Sequence, residues 1–176
     1  MKDRLPEHIE PLRLARSQRL MQGRLPLSRM PRLVESLVES TGDVKVELEF
    51  DVDKSNIAWV KGHLTCTLPL CCQRCMKTLL MPVDTTFKLA LIESEAEIER
   101  LGEEYEPLLL DDSLVSVATL VEDELLLSLP IVPKHESENC NAAHFGELHS
   151  EEVAETVNET EEKKNPFAAL ADLKRK

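Results

Sequence analysis

Between Asp43 and Asp53 the chain alternates without a break. Val44, Val46, Leu48, Phe50 and Val52 are interleaved with Asp43, Lys45, Glu47, Glu49, Asp51 and Asp53. A period of two sends successive side chains to opposite faces, so this segment is a half-buried strand with one wet face. Lys54-Ser55-Asn56 is a turn, and the pattern resumes: Ala58, Val60, Leu64, Cys66, Leu68 and Leu70 face one way, Trp59, Lys61, His63, Thr65 and Thr67 the other. A third run follows with Leu79, Met81, Val83, Phe87, Leu89 and Leu91. Three consecutive strands with short connections imply an antiparallel β-meander, an open sheet or a partly closed barrel.

Helical periodicity flanks the meander, which makes the fold class α+β. Pro11–Gln22 reads as a helix with proline at its first position and Gly23 as its stop. Ser28–Glu39 reads as a second, with Met30, Leu33, Val34, Leu37 and Val38 as its apolar stripe and Gly42 ending it. Glu93–Leu101 is a helix or ordered loop, and Tyr105–Leu110 a short strand. A further helix is capped by Asp111, Asp112 or Ser113 and runs to about Leu129. Leu114, Val117, Val121 and Leu125 face inward in this reading, and Glu122 and Asp123 outward, with Glu124 the acid that could turn inward. Pro130 and Pro133 then force extended backbone. The expected organisation is a domain over 1–146, an acidic disordered linker over 147–164 and a short docking helix over 165–176. That helix is capped by Asn165, carries Phe167, Leu170 and Leu173 on one face, and ends in Lys174-Arg175-Lys176.

The chemistry concentrates in Cys72-Gln73-Arg74-Cys75, which falls in the connection between the second and third strands. A Cys-x-x-Cys at a tight turn sets two thiolates about a metal ion's width apart. His135 and Cys140, beyond the rigid Pro130–Pro133 segment, can complete a four-ligand structural zinc site. Cys71 would point to the other face of an extended strand, and Cys66 reads as a small buried hydrophobe. The alternative is a thiol redox protein or redox-switched chaperone working through Cys72 and Cys75. A thioredoxin-type pair, however, sits at a helix N-terminus, and here a strand leads in and a strand leads out.

Other catalysis finds no support. The phosphate loop, the nucleophile elbow and the His-Glu-x-x-His signature are all missing, and five glycines leave little for phosphate-cradling loops. His63 reads as a surface histidine on a wet strand face. No apolar run is long enough to span a bilayer, and Met1–Gln22 has no signal-peptide core, so the cytoplasm is the expected compartment.

The net charge of -12 hides an asymmetry. Residues 1–32 carry eight Lys/Arg against Asp3, Glu7 and Glu10, whereas residues 93–163 carry 21 acids against Arg100, Lys134 and Lys163. Such a chain can hold one acidic and one basic partner, though solvated faces alone also account for it. With only six aromatic residues there is no obvious base-stacking platform. Any RNA contact would therefore be made to phosphates, through Arg13, Arg16, Arg19 and Arg24, with Arg74 and Lys77 at the cysteine turn.

Taken together, several segments resemble the YceD family of bacterial large ribosomal RNA subunit accumulation proteins. They are the basic N-terminal region, Cys72-Gln73-Arg74-Cys75, Tyr105-Glu106-Pro107, Val121-Glu122-Asp123-Glu124-Leu125, Leu129 to His135, Cys140, and Asn165 to Leu170 with Leu173 to Lys176. The resemblance implies a non-enzymatic role in synthesis, processing or stability of the large-subunit (23S) ribosomal RNA, hence in ribosome biogenesis. The partner it implies is a precursor of that RNA or a large-subunit ribosomal protein, with no small-molecule substrate and no membrane. It brings no catalytic residue with it.

Overall fold

The computed structural model describes residues 4–136 and Cys140. The linker expected over 147–164 and the helix expected over 165–176 lie outside the described residues. In chain order the elements are β1 (His8–Ile9), α1 (Pro11–Arg16), β2 (Leu20–Pro26), α2 (Pro31–Val34), β3 (Asp43–Val52), β4 (Ala58–Cys71), β5 (Thr78–Ile92), β6 (Glu106–Leu109), β7 (Val115–Ser116) and α3 (Val117–Ser128). Short 3-10 turns fill Leu27–Arg29 and Glu95–Arg100. The fold is α+β, as expected.

The meander is present and larger than expected. A five-stranded sheet runs in the order β2-β3-β4-β5-β6, antiparallel from β2 to β5, with β6 parallel to β5. A separate two-stranded ribbon pairs β1 with β7. The alternation of β3 translates directly into burial: Val44, Val46, Leu48 and Phe50 are inaccessible or nearly so, while Asp43, Lys45 and Glu49 face water. Val60, Leu64 and Leu68 of β4 extend that face, and Leu27, Met30 and Leu33 with Val117, Val121 and Leu125 of α3 cover it. Burying each such side chain stabilises by roughly 1.5–3 kcal/mol, which makes this face the main driving force for the fold. A small second cluster, Ala90, Ile92 and Tyr105 with Ile57, Trp59 and Leu101, lies apart from it.

Three helical expectations are corrected. α1 ends at Arg16, not Gln22, because Gln18 turns into left-handed backbone at φ 47° and residues 20–26 add an edge strand to β3. Gly23 therefore sits inside β2, opposite Val46. The second helix is a single turn: Pro31 starts it, Val34 ends it, and Val38 is 52% exposed. Val38 instead donates its backbone N–H to the Pro69 carbonyl at 2.8 Å, tying that segment to β4. Gly42, at φ 114°, makes the turn into β3 and accepts the Leu27 N–H. The third helix starts one turn late, capped by Ser116, whose Oγ accepts from Thr119 N at 3.2 Å. Its Val117, Val121 and Leu125 are buried as expected, but Leu114 lies outside it and is 54% exposed.

Candidate metal centre

β4 and β5 form a long hairpin that ends at the pair Cys71–Thr78. The six-residue connection folds back on itself. Cys72 N–H donates to the Lys77 carbonyl at 2.9 Å, and Met76 N–H to the Cys72 carbonyl at 2.8 Å. Met76 pays the conformational cost of that tightness with φ 57°. The motif thus joins two strands, and no helix begins at it, so the dipole that activates a thioredoxin-type cysteine is missing here.

The segment after α3 returns to this turn. Gln73 N–H donates to the Pro133 carbonyl at 2.8 Å, and an Arg74 guanidinium nitrogen donates to the His135 carbonyl at 2.9 Å. These contacts bring all four expected ligands together: Cys72, Cys75, His135 and Cys140 place one ligand atom each within 4.8 Å of one another. Cys72 Sγ lies 3.4 Å from Cys140 Sγ, and Cys75 Sγ lies 3.5 Å from His135 Nδ1. A tetrahedral ion bonded to sulfur at about 2.3 Å and to imidazole at about 2.0 Å sets ligand–ligand edges of roughly 3.5–3.8 Å. The group can therefore hold a metal ion with small adjustments. Cys72 and Cys140 are buried, and Cys75 and His135 half-buried.

The histidine is oriented for the task. Its Nε2 lies 3.2 Å from the Thr78 carbonyl, an acceptor that calls for N–H at Nε2 and leaves the Nδ1 lone pair turned toward Cys75. Thiolate character is favoured at two positions. Burial opposes ionisation of Cys72, but the N–H groups of Arg74, Cys75 and His135, and the Cys140 thiol, outweigh it and bring it down to about 5. Burial likewise opposes ionisation of Cys140, and Arg74 and His135 overcome it. Cys75 moves the other way: the Lys77 N–H lowers it, but burial and the two neighbouring sulfurs raise it more. Outside the group, burial pushes the Cys66 thiol up to about 11, in line with an inert, apolar role. Cys71 is half-buried and belongs to β4.

The expected basic residues do not form one surface. Arg13 and Arg16 are on α1, and Arg13 pairs with Glu10 at 3.5 Å. Arg19 lies past the turn, where its carbonyl accepts the Phe50 N–H. Arg24 is exposed on the edge strand β2 opposite Lys45. Arg74 and Lys77 belong to the cysteine turn. Arg16 lies beside Val52 and Ala58, at the far end of the sheet from that turn. The 14 residues of β4 separate the two ends by roughly 40 Å.

One residue was misjudged. Glu122 points inward, at 3% exposure, whereas Glu124 is half-buried. The Glu122 carboxylate accepts Arg32 N at 2.6 Å, Leu33 N at 3.0 Å and Arg32 Nε at 3.0 Å. The sequence did carry a signal: position 122 falls on one helical stripe with Ala118, Leu125 and Leu129. No helix among the described residues is long and apolar enough to cross a membrane.

Comparison with known proteins adds to this geometry. The family model described as "Large ribosomal RNA subunit accumulation protein YceD" matches residues 60–174. A relative of that name from Haemophilus influenzae is 33% identical over 180 residues, covering 99% of both chains. No solved structure matches.

Proposed function

Because the chain belongs to the YceD family of large ribosomal RNA subunit accumulation proteins, we propose that it acts without catalysis to support the synthesis, processing or stability of the 23S ribosomal RNA. The observation that carries this reading is the 33% identity, over 99% of both chains, to a relative named for that accumulation. The cytoplasm is the compartment where such a factor meets its RNA. Cys72, Cys75, His135 and Cys140 hold one structural zinc ion in this reading. Four protein ligands close a tetrahedron and leave no open position for a substrate, which suits a staple and not a catalyst. The staple joins the β4–β5 tip to the chain beyond α3, two segments about sixty residues apart in sequence.

The partner is a precursor of the large-subunit RNA or a ribosomal protein of that subunit. Basic residues supply phosphate contacts at both ends of β4 and level with its middle: Arg13, Arg16 and Arg19 toward the Ala58 end, Arg24 in register with Thr65, and Arg74 and Lys77 at the cysteine turn. The acidic stretch beyond residue 93 would face a basic ribosomal protein.

Deleting the gene and measuring the ratio of large-subunit to small-subunit ribosomal RNA tests the function. The ratio falls on this reading; an unchanged ratio, with growth and RNA decay also unchanged, overturns it. Crosslinking in cells tests the partner, and recovery of neither ribosomal RNA nor a large-subunit protein would remove it.

A further inference from the structure

We propose that the cysteine cluster exchanges its zinc ion for a Cys72–Cys140 disulfide when hydrogen peroxide oxidises it, so that the β4–β5 tip stays tied to the chain beyond α3 in either state. The inference rests on the zinc reading above and adds to it how the staple responds to an oxidant.

Three of the four ligand atoms are sulfurs, and the three are not equivalent. Cys72 Sγ and Cys140 Sγ lie 3.4 Å apart, and both residues are buried. Cys75 is half-buried, and its Sγ is turned to His135 Nδ1 at 3.5 Å. Closing the first pair to the about 2.05 Å of a disulfide is a short movement. The surrounding backbone holds that pair in place without using a sulfur. Cys72 N–H donates to the Lys77 carbonyl, Gln73 N–H to the Pro133 carbonyl, and the Arg74 guanidinium to the His135 carbonyl. Oxidation of the thiols leaves all three bonds intact. In a reducing compartment the zinc form is the resting state, and the disulfide is transient.

Cys75, the least buried of the three, is the point of entry. Its thiolate attacks one peroxide oxygen; the S–O bond forms, the O–O bond breaks, and hydroxide leaves. The Cys140 thiolate then attacks the sulfenic sulfur of Cys75 and expels a second hydroxide, giving a Cys75–Cys140 bridge. The Cys72 thiolate, already beside Cys140 Sγ, attacks that sulfur and releases the Cys75 thiolate. In sum, two thiolates give up two electrons, one peroxide and two protons become two waters, and one disulfide is formed. The ion loses two of its four ligands and departs. A bridge to half-buried Cys75 stays open to thiol exchange, whereas the Cys72–Cys140 bridge is buried, which makes it the end product.

The test treats the zinc-loaded full chain with one equivalent of hydrogen peroxide. A chromogenic chelator reads the zinc released, and peptide mapping without reductant reads the bridges. One ion is released per disulfide, and Cys72–Cys140 is the dominant bridge. The oxidised chain melts above the reduced, chelated chain, and dithiothreitol with added zinc restores the starting form. Cys75→Ser slows the release about tenfold or more and still ends in Cys72–Cys140. Cys66→Ser changes neither rate nor product. Mapping on the wild-type chain decides the pair even where a variant misfolds. A dominant bridge to Cys75 or Cys71, or zinc release with sulfinic acid and no disulfide, overturns the exchange and leaves the zinc staple standing. A chain that binds no zinc overturns the staple and the exchange together.

Discussion

The carboxylate of Glu122 in α3 caps the first turn of α2, accepting the backbone N–H of Leu33 at 3.0 Å. The same oxygen accepts Arg32 N, and the other engages the Arg32 guanidinium, which also reaches Asp123 at 2.6 Å. α2 has no N-cap side chain of its own and only one turn, so it cannot persist on local hydrogen bonds. The partner helix supplies the cap. Glu122→Ala strands backbone donors against the core and is expected to cost about 2–4 kcal/mol in urea unfolding at neutral pH. Glu122→Gln keeps one acceptor for the two amides and is expected to cost less. Equal stability of all three proteins would show that α2 is held by Leu33 packing alone.

That contact also marks where sequence reading stops. The strands were legible because β3 to β5 bury one face and wet the other, which prints a period of two on the chain. β2 was not, because it is an edge strand with only Leu25 buried, and its residues carry no sharp alternation. The same gap let α1 run on in the sequence reading through Ser17 and Gln18, where the real chain turns. Cys72 and Cys75 were legible from spacing alone. His135 and Cys140 were legible as candidates, but their convergence depends on Gln73 and Arg74 gripping the Pro133 and His135 carbonyls, backbone contacts that no residue pattern encodes. Glu122 was hidden as the first of three consecutive acids, and only its place on the helix separates it from Asp123.

Gly62 and Phe87 are cross-strand partners in β4 and β5. A Cβ on residue 62 would lie 2.0 Å from Phe87 Cζ, so the ring rests where a side chain would be. Phe87 is 8% exposed. Gly62→Ala is expected to destabilise by roughly 1–3 kcal/mol through overpacking. In Gly62→Ala/Phe87→Leu the loss should be smaller than the sum of the two single losses, since the clash is relieved. Strict additivity in denaturant unfolding would mean that the ring does not occupy this space in solution.

Metal removal tests the cysteine cluster without reference to RNA. Untagged protein is expected to purify with one zinc per chain, and Cys72→Ser or Cys140→Ser to lose it. An ion present at a thousandfold over its dissociation constant adds about 4 kcal/mol to the folded state. Chelation should then lower the melting temperature by roughly 8–16 °C for a chain of this size. Cys66→Ser, away from the group, should leave the metal content unchanged. Metal-free protein that melts at the same temperature with and without added zinc would rule out the staple.

Tyr105 is the single tyrosine of the chain, so its ionisation can be followed by ultraviolet absorbance without ambiguity. The ring is 8% exposed, and its hydroxyl donates to Asp53 Oδ2 at 3.0 Å. Burial, reinforced by the Asp53 charge, pushes its pKa up to about 12. A phenol that is harder to ionise when folded contributes stability in full below the unfolded value of about 10, and that contribution is lost as pH rises through about 12. Asp53 has the opposite sign. The Ile57 N–H, with Tyr105 and the Ser55 N–H, holds its carboxyl below the usual range against the opposing effect of burial. Its contribution is present above the unfolded value and disappears as pH falls through the lower, folded one. The folded protein should therefore titrate its tyrosine near pH 12 and the urea-unfolded chain near 10. Asp53→Asn should bring the folded value down toward the unfolded one. A folded midpoint at the unfolded value would mean that the Tyr105 hydroxyl is in water and that the Asp53 contact does not form.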